Sequence, residues 1–341
     1  MKRNHRLSKT ALLVLAAAIL PAILARADTY SWENFQSDIG GVAQHTNSNL
    51  VNPWGMAVSS GGTIWVSNNG TGTASLFSQN GTANSLVVTI PARDKHQTGN
   101  PTGVVFNSTA FFKVTKNGNS QPSKFIFVSE DGTISGWNPT LDSMNAIIAV
   151  KGKGDNVYKG ATLGMANGHN FLYVTNFKKG RVETYDENFQ QVNQLQFVDP
   201  NLPNRFAPFG IRNFNGQIYV TYAKQGPGEH DDEAGPGNGF IDVFDTSGTF
   251  VKRLVSNGNL NSPWGLALLN GNELWVGNFG DGKINKYDAT TGAFLEAISR
   301  ADGTPLQFDN LWDLLPLTGG VWFTAGIGGE DHGLFGLITK D

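Results

Sequence analysis

Between Ala223 and Gly239 the chain reads AKQGPGEHDDEAGPGNG, which sets Glu229, His230, Asp231, Asp232 and Glu233 side by side. An imidazole changes charge near neutral pH and can move a proton, while neighbouring carboxylates gather cations. Four carboxylates crowded together would repel by on the order of a few kcal/mol per close pair at an effective dielectric near 20. A bound cation relieves that repulsion; the plainer alternative is a solvated acidic tip whose side chains diverge. A second stretch, Gly326–Gly333, repeats the mixture with Glu330, Asp331 and His332. His230 and His332 are therefore the candidate catalytic bases. The candidate metal ligands are Glu130, Asp231, Asp232, Asp313 and Asp331, with His45 and Glu330 as further donors. Hard oxygen donors favour calcium, and two or more imidazoles favour zinc or another transition ion. For an exported protein calcium ranks first.

Other catalytic patterns are absent. Gly277–Lys283 matches G-x-x-x-x-G-K, but Ile284 stands where a phosphate loop needs Ser or Thr, and the segment reads as a hairpin. The sequence contains no G-x-G-x-x-G, H-E-x-x-H or G-x-S-x-G. With 0 Cys in 341 residues, thiolate metal sites, disulfides and cysteine nucleophiles are excluded.

The candidates can meet only if the elements between them form a ring. Short apolar runs bounded by Asn-Gly, Gly-Asp-Gly and Thr-Thr-Gly recur along the chain, as in Asn261–Ser299, and read as antiparallel strands joined by tight turns. The unit opens at Trp54-Gly55, Thr102-Gly103, Lys159-Gly160, Phe209-Gly210, Trp264-Gly265 and Trp312-Asp313, at intervals of 48, 57, 50, 55 and 48 residues. Each interval holds four strands, with Gln194–Phe197 as the fourth strand of the third copy, and the insertion Lys113–Lys124 in the second copy reads as a flexible hairpin tip. Six such units predict an all-β fold, a six-bladed β-propeller of four-stranded antiparallel blades. The sixth copy ends after its third strand, so Tyr30–Phe35 is expected to pair beside Leu334–Ile338 and close the last blade.

In such a blade the connection into the first strand and the hairpin between the second and third emerge on one face. That face receives Asn52, Asn100, Glu130, the loop Ala223–Gly239 and the loop Gly326–Gly333. Trp54, Trp264 and Trp312 stand at its opening turns, which makes them, with Asn52 and Asn100, candidates for a ligand-binding face. Packing between neighbouring blades is the structural alternative for the tryptophans. Asp313 replaces the glycine found in the other five copies.

Lys2, Arg3, Arg6 and Lys9 precede the apolar run Ala11–Leu24, followed by Ala25-Arg26-Ala27. This reads as a secretory signal peptide over residues 1–27, with a single propeller over 28–341. An uncleaved anchor is disfavoured by the short run and by Pro21. Loss of the leader moves the formal charge from −3 to −8. An acidic body argues against nucleic acid or anionic lipid. The mature protein is expected to be exported to the periplasm or beyond, and to act as a monomer.

NLVNPWG (Asn49–Gly55), EDGTISGWNP (Glu130–Pro139), APFGI (Ala207–Ile211), GNGFIDVFD (Gly237–Asp245), SPWGLAL (Ser262–Leu268), GNFGDGKIN (Gly277–Asn285) and EDHGLFG (Glu330–Gly336) together resemble an exported bacterial β-propeller family first noted among proteins with PEP-CTERM sorting tails and related to NHL-repeat propellers. The resemblance covers Tyr30–Ile338 and implies the fold, without an activity. The sorting tail is missing, which implies a free protein instead of a matrix-attached one. Calcium-dependent lactonases are also six-bladed, and Asn52, Asn100, Glu130 and Asp313 could imitate their axial metal set, although their S-P-D-G turns are absent here. Two functions follow. One is a binding module for an extracytoplasmic protein, peptide, glycan or small molecule; the other is a metal-dependent hydrolase or lactonase-like enzyme at the axis of the same face. Convergence of the candidate side chains would favour the enzyme, and a broad aromatic groove the binder.

Overall fold

The computed structural model describes Met1, residues 28–94 and residues 96–341. The expected signal peptide lies outside the described residues. Among those residues there is no helix long and apolar enough to cross a membrane.

Six sheets follow one another around an axis. The first blade runs Pro53–Val58, Ile64–Asn68, Thr73–Phe77 and Ala83–Thr89. The fifth repeats it as Pro263–Leu269, Glu273–Asn278, Ile284–Asp288 and Phe294–Ala297. Innermost strands are almost wholly buried and outermost strands largely exposed, because each blade packs both faces against its neighbours only near the axis. The clasp is present: Tyr30–Ser37 pairs antiparallel with Leu334–Lys340, from Tyr30 opposite Lys340 to Ser37 opposite Leu334. His45–Thr46 adds a short parallel strand outside it.

Glycine follows the opening turn because the inner strands crowd. A Cβ on Gly210 would lie 2.2 Å from the Trp264 carbonyl oxygen, and one on Gly265 2.4 Å from that of Trp312. The opening residues pair with a register shift in all six blades, at Pro53/Met56, Pro101/Val104, Tyr158/Gly160, Pro208/Ile211, Pro263/Leu266 and Leu311/Leu314. The bulge turns the opening side chain inward over the axis.

The tryptophans divide by position. Trp65, Trp275 and Trp322, in second strands, do pack between blades: Trp65 stacks on Phe125 of the next blade at 4.0 Å. Trp54, Trp264 and Trp312 instead pack on one another, with Trp54 and Trp312 stacked at 3.4 Å and Phe279 against Trp312 at 4.2 Å. Together with Phe177 and Phe209 they make a plug across the axis.

Two segments differ from the sequence reading. The insertion Lys113–Lys124 is no loose tip: Lys113–Lys116 pairs with Asn119–Pro122, and Phe112 and Val114 are buried beside it in the core of the third blade. In the third blade the fourth strand is not Gln194–Phe197. Pairing stops at Gln191–Val192, and the chain then leaves the sheet because Phe197 is drawn against Tyr173 and Phe244 at 5.0 and 5.4 Å.

Candidate functional site

The floor of the loop face is the aromatic plug, and it is closed. Trp54, Trp264 and Trp312 are 2%, 6% and 2% exposed, so a ligand on this face does not reach their rings. Their part is to fix the polar layer above. Trp312 Nε1 donates to Asn52 Oδ1 at 2.9 Å, and Asn52 Nδ2 donates to Glu330 Oε2 at 2.8 Å. Asn52 and Glu330 both hold left-handed backbone, at φ 44° and 72°, a conformation that costs a side-chain-bearing residue about 1 kcal/mol or more. Their mutual hydrogen bond and the Trp312 contact offset that strain.

Lys159 occupies the opening position of the third blade and is buried at 2%. Its ammonium lies over the Trp54 ring at 5.1 Å, 2.5 Å from Glu130 Oε1 and 3.5 Å from Asp231 Oδ1. Burial pulls its pKa down, but the Glu130 carboxylate outweighs burial and the net shift is upward. Lys159 is thus a fixed positive charge at the axis. Asn69 Nδ2 binds the other oxygen of Glu130 at 3.0 Å, and Asn100 reaches the Asn69 carbonyl at 3.3 Å on the rim.

Above Lys159 stand His230 and Asp231, joined Nδ1 to Oδ1 at 2.7 Å. That hydrogen bond raises the His230 pKa and, with the Lys159 charge, holds Asp231 down at about 2. With Nδ1–H directed at a carboxylate, Nε2 carries the lone pair. Asp232, one residue on, has its pKa raised by burial, and its Oδ2 has no hydrogen-bond partner among the described residues. Burial pushes Glu330 up to about 7, and the Glu130 and Asp231 charges add to the push.

The structure therefore brings Glu130, His230 and Asp231 within 4.8 Å of one another, with Asp232, Glu330, Asn52 and Asn100 around them. It separates the rest. Asp331 is exposed on its loop, and His45 lies on the outer edge strand. His332 pairs through Nδ1 with Asp38 Oδ2 at 2.7 Å, and Asp38 Oδ1 accepts from Gly333 N. Asp313 lies below the plug, accepting from Arg212 at 2.5 Å and from the backbone of Met56 and Leu314 at 2.8 Å each.

Sequence reasoning missed three residues here. Lys159 was visible as the one basic residue among the opening positions, where other copies carry Trp, Phe or Thr. Asp38 and Asn69 carry no signal, since one follows the clasp and the other sits in a common turn.

No family model matches the chain. It is 31% identical to the uncharacterised protein R648 of Acanthamoeba polyphaga mimivirus, over 88% of this chain and 77% of that protein. It is 31% identical to uncharacterised protein L690 of the same virus, over 88% and 83%. Among solved structures it is similar to virginiamycin B lyase from Staphylococcus aureus, with TM-score 0.54, 17% identity and coverage of 92% and 99%. It is also similar to the PQQ-bound aldose sugar dehydrogenase of Streptomyces coelicolor, with TM-score 0.51, 12% identity and coverage of 92% and 100%. At these identities the likeness to solved structures is one of fold.

Proposed function

The chain belongs to one family with the mimivirus proteins R648 and L690, and from that premise and the geometry above we propose an acid–base enzyme of the lyase or hydrolase class, working at the axis of the loop face. The observation that carries the reading is the convergence of Glu130, His230 and Asp231 within 4.8 Å, beside Glu330 from another blade. His230 Nε2 is the base, oriented by Asp231. Glu330, near half-protonated at neutral pH, is the acid. Lys159 and Asn52 hold the carboxylates in place. The aromatic plug gives the site a rigid floor. Streptogramin B and virginiamycin B lyases are propellers of like fold, a likeness that bears on architecture and leaves the chemistry to the residues of this site.

A calcium or zinc ion at Glu130, His230 and Asp231 is the alternative to metal-free proton transfer. Lys159 already shares Glu130 Oε1 and Asp231 Oδ1, and Asn69 shares Glu130 Oε2, so an ion would compete for occupied oxygens. The donor set fits a metal poorly, and proton transfer by His230 and Glu330 needs none. Export, and kinship with the exported NHL-type propellers, belong to the same proposal.

The test is turnover of a panel of lactones and esters by the chain from Asp28, beside its His230→Ala variant. Loss of a general base costs about 10²–10⁴-fold in rate, and a His230→Ala variant as active as the parent removes the reading. Melting in EDTA and with excess calcium or zinc checks the metal. A filled site at 100 times its Kd would add about 2.7 kcal/mol.

The second reading is a binding module, and the excess of Glu130, Asp231, Asp232 and Glu330 over Lys159 favours it. Such a face takes a basic group on a protein, peptide or glycan. Binding of an amine-bearing ligand without turnover, lost in Glu130→Gln, would select this reading.

A further inference from the structure

A cavity lies away from the loop-face axis, at the outer side of the third blade. It measures about 540 Å³ and is bounded by Arg181–Thr184 on one side and by residues 191–198 on the other. Its origin is the early departure of the fourth strand. Third and fourth strands pair only at Thr184–Val192 and Tyr185–Gln191, whereas in the fourth blade the equivalent pairing runs from Phe240–Ser256 to Phe244–Phe250.

The backbone parity of the open strand is fixed. Asp186 N donates to Gln190 O at 2.9 Å, so Asp186, Thr184 and Val182 direct their N–H and C=O outward, away from the second strand. Val182 therefore presents both groups to the groove. The open edge, Arg181 to Glu183, spans three residues, or about 10 Å at 3.3 Å per residue. Leu195, Phe197 and Val198 form the facing wall, and Val198 is 56% exposed.

Charge sets the kind of occupant. The hairpin leading into this edge is FKKGR, with Lys178, Lys179 and Arg181 in four residues. Asp155 answers Lys179 at 3.1 Å and buried Glu183 answers Arg181 at 2.7 Å, while Lys178 has no ion-pair partner among the described residues. Arg181 is 55% exposed and bonds Glu183 through Nε and one Nη only, which leaves donors turned outward.

We propose that this edge docks an extended peptide segment bearing acidic side chains, added to the third blade as its fourth strand. Backbone pairing with Val182 supplies the attachment, alternate side chains enter the groove toward Phe197 and Leu195, and carboxylates meet Lys178 and Arg181. Open sheet edges are otherwise covered or blunted, and the other blades pair their third strand over three or more residues of their own chain, against two here.

The probe is a synthetic hexapeptide of alternating Glu and Val, followed by calorimetric titration and by amide exchange at Val182. Binding with slowed exchange of the Val182 amide is expected. The same peptide N-methylated at alternate residues keeps its charge and cannot pair, so it binds at least ~10-fold more weakly. An alternating Lys and Val peptide does not bind, and Lys178→Glu, which breaks no ion pair among the described residues, weakens the acidic peptide ~10-fold while leaving melting within about 1 °C. Equal affinity for the methylated peptide, equal affinity for the basic one, or no protection of Val182 overturns the proposal.

Discussion

Two buried carboxylates set the pH response at the level of single residues. Burial lifts Glu330 to about 7, and burial with the Asp199 charge lifts Asp242 to about 7. Asp242 is wholly buried; Arg253 is paired chiefly with Asp199 and reaches Asp242 Oδ1 only at 3.4 Å, and Asp242 Oδ2 has no hydrogen-bond partner among the described residues. Both groups bind protons more tightly folded than unfolded, so stability falls as pH rises from about 4 to about 7, and levels off above that. For Asp242 the loss is on the order of a few kcal/mol. Asp231 and Asp142 are lowered to about 2, so their contribution is present above about pH 4 and is lost as pH falls toward 2. Melting temperature against pH is therefore expected to peak near pH 4–5. In the double variant Asp242→Asn, Glu330→Gln the decline toward pH 7 becomes shallower, the remainder coming from Asp232, Asp313 and His230, whose pKa values are also raised; a decline as steep as the parent's would mean that these two groups are not the cause. His230, Asp231, Glu130 and Asn52 were legible in the sequence because acid–base residues on loops of one face are few. Lys159 escaped because its role depends on an ammonium being walled in by residues from other blades.

Among the elements, the clasp bears most of the ring's closure. Tyr30 is 4% exposed, packs edge-on against Trp275 at 5.1 Å, and takes a hydrogen bond from Lys286 at 3.2 Å. Tyr30→Ala is expected to cost about 3–5 kcal/mol, as for other buried aromatics. Removing residues 28–37 strips the pairing partner from Leu334–Lys340 and bares that edge. Melting of the truncated chain should fall by well over 10 °C, and an unchanged melting curve would show that the ring closes without it. The clasp was readable because the sixth copy is one strand short. The retreat of the fourth strand in the third blade was not, since Gln194–Phe197 has a strand's composition and only the pull of Tyr173 and Phe244 on Phe197 removes it.

Across the whole molecule, the axis is sealed twice: by the tryptophan plug above and by the Arg212–Asp313 pair below. Arg212 comes from the fourth blade and Asp313 from the sixth, so the pair ties blades across a channel with room for about 20 Å³. Asp313 is buried at 1% and Arg212 is 25% exposed on its side chain. Arg212→Ala leaves a buried carboxylate unpaired and should cost about 2–3 kcal/mol, less than the 3–5 of a fully buried pair because solvent reaches Arg212. In a double-mutant cycle Asp313→Gly, which restores the glycine of the other blades, should recover part of that loss. If the two changes were simply additive, the cross-axis tie would carry no energy.

By itself the sequence determined the number of blades, their strand order, the clasp and the sharing of one face by the polar loops. Those follow from turn residues and period-two apolar runs, which act over a few neighbouring residues, and from a repeat that propagates them. Only the tertiary structure decided which members of the face meet. Glu130 and His230 lie 100 positions apart, and their approach depends on ring closure and on the bulge that turns Lys159 inward. It also moved Asp313 from a supposed metal site to an ion pair with Arg212, and hid the three opening tryptophans beneath the site, because an axis narrowed by glycines leaves large side chains nowhere to pack but on each other.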